Sequence, residues 1–242
     1  MFRNLLDGFS HSNGIYHLSN LIDHTILFTI FRTAYEQLCA FELVYVLPNT
    51  DDKRLILKNA YIASGLSNRQ KMFTKEELIK NKAILNEEIN IINDCRIQIH
   101  NTKLYKSLNN ESQIVLNREV FNNGNFQLYF NDTNKLIPHV GWDQVRNLCS
   151  LGTDTLKGLY KYACNMAHPS YLGLTQYRVA FKKDVTNNLV ETATMQLSSI
   201  MSVFIMDYIN KYPMVKHVFD NLDFESQYMI CMYNHTLRSD SN

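Results

Sequence analysis

Between Ile15 and Leu47 no glycine or proline interrupts the chain, and apolar side chains recur three or four residues apart through its whole length. Leu18, Ile22, Thr25, Thr29, Arg32, Glu36, Ala40, Leu43 and Leu47 line one stripe. Leu21, Phe28, Phe31, Tyr35 and Leu38 form a second. That spacing is helical, and a helix apolar on two sides belongs at the centre of a bundle. The pattern extends to the rest of the chain: 242 residues carry only eight Gly and four Pro, too few for the turns of a sandwich or barrel.

Pro48-Asn49-Thr50-Asp51 ends this first helix, and Thr50 or Asp51 caps a second over Asp52 to about Ala63, closed by Gly65. Thr74-Lys-Glu-Glu77 has the capping-box spacing and opens a long helix to about Tyr105 or Leu108. Leu78, Leu85, Ile92 and Ile99 repeat every seven residues along it, which predicts a helical hairpin. Residues 109–138 are rich in Asn and read as an irregular insertion, a loop or a small β-hairpin around Phe126–Phe130. Helices resume at Trp142–Cys149, with Trp142 as a core anchor, and from Thr153 or Asp154 to His168, where Pro169 disfavours further helix. Val190, Thr194, Leu197, Met201, Phe204 and Tyr208 mark a core helix interrupted by Pro213, and a last helix runs from Phe224 to Leu237. The expected architecture is one all-α domain, a multi-helix bundle over residues 1–242.

Composition narrows the function classes. A net charge of +1 supplies no global basic field for nucleic acid, though a local patch remains open. Five scattered cysteines, an odd number with no CxxC, fit reduced thiols in the cytoplasm better than a disulfide frame or zinc site. The N-terminus lacks a signal-peptide layout. Leu197–Met206 is apolar but too short to span a bilayer, so no membrane association is expected. The histidines show neither HxxxH nor HExxH spacing, and the Walker, GxGxxG and GxSxG motifs are missing. No metal and no cofactor are expected.

Two places concentrate polar groups where a core is expected. Arg32 and Glu36 are four apart, hence on one helix face. Burying an isolated charge is costly, so they pair, reach solvent or face a cleft; a structural ion pair and a functional cleft are both open readings. Asn165 and His168 are three apart, and Lys161 joins them two turns earlier. A histidine at a helix C-terminus sits in carbonyl partial charge that favours imidazolium, suited to proton transfer or phosphate binding. The plain alternative is that His168 caps its own helix.

These residues carry a resemblance. Arg32, Glu36, Arg54, Tyr61, Trp142, Tyr160, Asn165, His168, Pro169 and Ser170 resemble an uncharacterised bacterial all-helical family, with an Arg-x-x-x-Glu in the first helix and Asn/Ser-x-x-His-Pro-Ser late in the chain. That family looks related to HEPN domains of toxin–antitoxin, abortive-infection and antiphage systems. Many of these are metal-independent RNases with an Arg and a His, separated by four to six intervening residues, at a dimer cleft. Counting back from His168 across six intervening residues gives Lys161 instead of Arg. The resemblance implies an endoribonuclease with Arg32, Glu36, Asn165 and His168 catalytic and Lys161 and Tyr160 binding substrate. It also implies RNA, a second copy of the chain and an antitoxin or other defence protein as partners. The competing expectation is a non-enzymatic helical module, binding a partner or sensing a nucleotide, in which Arg32, Glu36 and His168 form a structural network.

Overall fold

The computed structural model describes residues 24–149, 151, 154–167 and 183–239. Those residues are mostly helical, with one two-stranded sheet, so the fold class is all-α as expected. The chain divides into two compact units. Residues 39–149 form one, and the segments flanking them in sequence form the other.

The first helix, α1, runs His24–Phe41 and continues as a π-turn over Glu42–Val46. Its two expected apolar stripes fare differently. Leu27, Phe28, Phe31, Tyr35 and Leu38 are buried, whereas Thr29, Thr33 and Gln37 are exposed and Arg32 and Glu36 are half-buried at the edge. The second stripe is core, and the first is rim at Thr29, Arg32 and Glu36 but turns into the core at Ala40 and Leu43.

In the central unit, α2 (Asp51–Lys71) begins at Thr50, whose side chain accepts the Lys53 N–H. It runs through Gly65 instead of stopping there. A Cβ at Gly65 would meet nothing within 4 Å, so the glycine costs this helix only its weak intrinsic propensity. The Thr74 capping box forms as expected and opens α3 (Lys75–Lys80). The single long helix expected after it is broken twice. Asn81 turns its side chain back to the Glu77 carbonyl, and α4 (Lys82–Asn101) follows. Thr102 then adopts extended backbone and caps α5 (Lys103–Ser107) by accepting the Tyr105 N–H. Both residues offer the backbone a local polar partner that competes with helix continuation.

The hairpin itself is present. Asp52 meets the Leu104 N–H, Asn59 meets Gln98, and Gln70 meets Glu88, a descending register that makes α2 and α4 antiparallel. An Arg69–Glu88 ion pair ties the same two helices. Of the heptad, Ile99 and Leu85 are buried, Ile92 is half-buried and Leu78 is exposed, so the stripe emerges into solvent towards the hairpin tip.

The segment 109–123 is not irregular. Asn109 caps α6 (Asn110–Asn117) by accepting the Ser112 N–H at 2.8 Å, and a π-turn over Arg118–Asn123 ends at Gly124 with φ +68°. Asparagine favours caps and turns, so an Asn-rich stretch reads as loop even where each Asn flanks a helix. The small hairpin follows: β1 (Tyr129–Phe130) pairs antiparallel with β2 (Leu136–Ile137). Asn131 Oδ1 accepts the Thr133 and Lys135 N–H groups across its turn. Leu116, Val120, Leu128, Phe130 and Leu136 join Ile56, Ala60, Cys95 and Ile99 in one core. The segment expected to be an insertion therefore completes the central hydrophobic cluster. Next comes α7 (Trp142–Leu148); Trp142 is half-buried against Phe126 and does not anchor the core.

In the flanking unit, α8 (Asp154–Ala167) packs on α1. Phe28 meets Tyr162 edge-to-face at 4.7 Å between ring centroids, Tyr35 meets Tyr160 at 5.8 Å, and the Tyr35 hydroxyl donates to the Leu151 carbonyl. Further on, α9 (Lys183–Lys211) ends before a 3-10 turn at Pro213–Val215, then α10 (Lys216–Asp220) and α11 (Phe224–Ser239) follow. Along α9 the buried face is Val190, Ala193, Gln196, Ile200 and Val203, with Ser199 and Ser202 beside it. The large residues of the expected stripe flank this face. Small side chains let the neighbouring helix approach, and the bulky ones fill the sides. An Asp207–Arg238 ion pair joins α9 to α11.

The apolar stretch of α9 is longer than Leu197–Met206: Asn187–Lys211 is long and apolar enough to cross a membrane by length and composition. Its buried Gln196, Ser199 and Ser202 and its packing on α11 place it within a helical bundle.

Candidate functional site

Two helices of the flanking unit build the polar cluster. On α1 the i,i+4 spacing stacks Arg32 and Glu36, and the guanidinium Nε donates to Glu36 Oε1 at 2.9 Å. On α8 the Tyr160 hydroxyl donates to the same oxygen at 2.6 Å. Glu36 is therefore the hub that joins α1 to α8, and both donors converge on one of its two oxygens. The ring of Tyr160 is nearly fully buried against Tyr35, while the Arg32 and Glu36 side chains keep 24% and 22% of their surface in solvent. The cluster is thus buried at Tyr160 and partly in solvent at Arg32 and Glu36.

The electrostatics follow from that geometry. The hydrogen bond to Glu36 raises the Arg32 pKa, against the opposing effect of burial, so the guanidinium stays charged. Burial pushes the Tyr160 phenol well above its ordinary range, and its hydrogen bond to the Glu36 carboxylate pushes in the same direction. The Cys164 thiol, one turn further along α8, adds to the rise. Burial alone raises Tyr162. Tyr160 is a permanent donor at neutral pH, and Glu36 is its acceptor.

Of the residues expected at a site, the fold brings Arg32, Glu36 and Tyr160 together. Lys161 is exposed on α8 and Asn165 is half-buried one turn beyond it. His168, Pro169 and Ser170 lie outside the described residues, so the Arg32–His168 distance does too. Cys164 was not anticipated. Its one available signal is the i,i+4 step from Tyr160, which puts both on one face. The remaining family-like positions belong to the central unit. There Arg54 bonds Asp51 and the Pro48 carbonyl, and Tyr61 packs edge-on against Phe126. Among the described residues no group of three or more His, Cys, Asp or Glu is placed to hold a metal ion.

The central unit also carries an open groove of about 440 Å³ lined by Thr50, Asp51, Asp52, Lys103, Leu104, Ser107 and Asn134. Two of its polar side chains are committed to helix ends: Thr50 caps α2, and Asp52 accepts the Leu104 N–H.

Fold and cluster together define an all-α protein with an Arg–Glu–Tyr constellation spanning two packed helices. The chain belongs to the DUF5677 family, described as a family of unknown function, which it matches over residues 2–185. No curated protein and no solved structure matches it significantly.

Proposed function

We propose that the chain is a HEPN-like, cytoplasmic protein of a bacterial defence or toxin system that cleaves RNA by 2′-hydroxyl attack without a metal ion. The observation that carries this reading is the Arg32–Glu36–Tyr160 constellation. A charged guanidinium is held by a carboxylate at 2.9 Å, and that carboxylate is held in turn by a buried phenol. A guanidinium fixed in this way suits stabilisation of the charge that builds on a phosphorane. In the proposed mechanism Arg32 does this with help from Lys161, Glu36 orients Arg32, and Asn165 positions the RNA. His168 moves protons as general acid or base. Tyr160 closes the substrate-side wall, and a second copy of the chain completes the assembly. The test is growth on induced expression. Arrest by the wild type that is lost in His168→Ala and Arg32→Ala, at equal protein levels, is the expected result; growth indifferent to the wild type contradicts it.

A second reading, a helical module that acts by binding a protein partner such as an antitoxin, is favoured by one surface. Met214, Val218 and Leu222, then Phe224, Tyr228 and Met232, recur four apart and are exposed, Phe224 at 82%. Exposed large apolar side chains clustered in sequence in this way are candidates for an interaction site. In that reading Phe224→Asp abolishes partner capture and Arg32→Ala leaves it intact.

A further inference from the structure

The two oxygens of Glu36 are unequally used. Oε1 takes both the Arg32 Nε–H and the Tyr160 hydroxyl, at 2.9 and 2.6 Å, while among the described residues Oε2 has no hydrogen-bond partner. A carboxylate offers roughly four lone-pair sites, so half of its accepting capacity is left on the side that the two donors do not occupy. The Glu36 side chain keeps 22% of its surface in solvent. The carboxylate also cannot swing freely, because its donors come from two different helices. One of them, Tyr160, is fixed by burial and by its ring contact with Tyr35 at 5.8 Å. A fixed, partly exposed, unshared carboxylate oxygen beside a guanidinium is an acceptor waiting for a hydroxyl.

Resting on the RNase reading above, we infer that Glu36 is a catalytic residue in its own right: Oε2 is the general base that takes the proton of the attacking RNA 2′-hydroxyl. The O–H bond of the 2′-hydroxyl breaks as its proton passes to Oε2. The 2′-oxygen bonds to phosphorus, and the phosphorus–5′-oxygen bond breaks. The 5′-oxygen leaves with a proton from His168, which acts as the general acid of that reading, and proton exchange with water restores both His168 and Glu36. The products are a 2′,3′-cyclic phosphate and a 5′-hydroxyl, with no net redox change. Arg32, paired with the same carboxylate through Oε1, offsets repulsion between Glu36 and the phosphodiester and remains the group that stabilises the phosphorane. Tyr160 is a positioning residue: it keeps Oε1 engaged so that Oε2 faces the substrate.

The test uses the full chain and two oligonucleotides with one scissile ribonucleotide each, one with the natural 5′-oxygen and one with a 5′-bridging sulfur that leaves without protonation. Glu36→Gln can still accept from Arg32 and Tyr160 through its amide oxygen. It should cut kcat by about 100-fold on both substrates, with RNA Kd unchanged. Glu36→Asp, which withdraws the carboxylate by one methylene, should lose about tenfold and keeps the test decisive if the Gln variant misfolds. A Glu36→Gln protein as fast as wild type, or one restored to wild-type rate by the sulfur leaving group, overturns the assignment. Wild-type protein that cleaves neither substrate overturns the RNase reading beneath it.

Discussion

The Tyr160 hydroxyl and Glu36 Oε1, 124 residues apart in sequence, meet at 2.6 Å, and that bond joins α1 to α8 through a carboxylate already paired with Arg32. Removing either end has different consequences. Tyr160→Phe deletes one donor to a half-exposed carboxylate and should cost about 1–2 kcal/mol in chemical denaturation. Glu36→Ala removes the acceptor that the phenol and the guanidinium share, and should cost more than either Tyr160→Phe or Arg32→Ala. Equal losses for all three would mean that Glu36 is no hub.

Alkaline titration gives an independent check. Tyr160 ionises far above the ordinary tyrosine value of 10.0, chiefly through burial and the Glu36 bond. A folded-state pKa raised above the unfolded one contributes stability that is complete below pH 10 and lost as pH climbs beyond it. Wild-type stability should therefore fall more steeply above pH 10 than that of Tyr160→Phe. Tyr162, raised by burial, remains in both proteins. Tyrosinate absorbance of the native protein should show these residues still protonated after the exposed tyrosines have ionised.

At the end of the π-turn, Gly124 has φ +68°, and a Cβ there would lie 2.4 Å from the Asn68 side-chain oxygen. Asn68 Nδ2 donates to the Gly124 carbonyl at 2.9 Å. Gly124→Ala combines left-handed backbone cost with displacement of Asn68 and should destabilise the protein by about 1–3 kcal/mol. Gly65→Ala, in open space on α2, should be neutral or stabilising by up to about 1 kcal/mol. Denaturant midpoints of the two variants compare the positions directly.

The Arg69–Glu88 pair sets a carboxylate that is almost fully buried against an arginine half in solvent. Among the described residues, Arg69→Ala leaves that carboxylate with only the Gln70 amide at 3.2 Å. It should cost about 1–2 kcal/mol, below the full penalty for a buried charge because Arg69 is exposed. Glu88→Gln should cost less, since the neutral amide needs no counter-charge. Thermal melts order the two.

Local signals were legible in the sequence, and long-range ones were not. The Thr74–Glu77 capping box, the Thr50 cap, the stop at Pro48, the break at Pro213 and the β-hairpin each depend on a few neighbouring residues, and each is present. Gly65 and Asn109 misled because their propensities are weak priors that packing and capping override. Along α9 the periodicity was visible, but small Ala193, Ser199 and Ser202 outcompeted the bulkier residues for the interface. Arg32 and Glu36 stood out as charges in an apolar helix, and their spacing announced the pair. Only the resemblance put Tyr160 in one site with Glu36; neither spacing nor periodicity announced their bond across 124 residues, or that one carboxylate oxygen would take both donors.

The most direct measurement of the central claim is cleavage of a defined RNA oligonucleotide by the purified full chain, with the product ends identified by mass spectrometry. Wild-type protein should leave a 2′,3′-cyclic phosphate and a 5′-hydroxyl, should not require a divalent ion, and should lose about 100-fold in rate in Arg32→Ala. Intact RNA, or cleavage unaffected by Arg32→Ala, would contradict it.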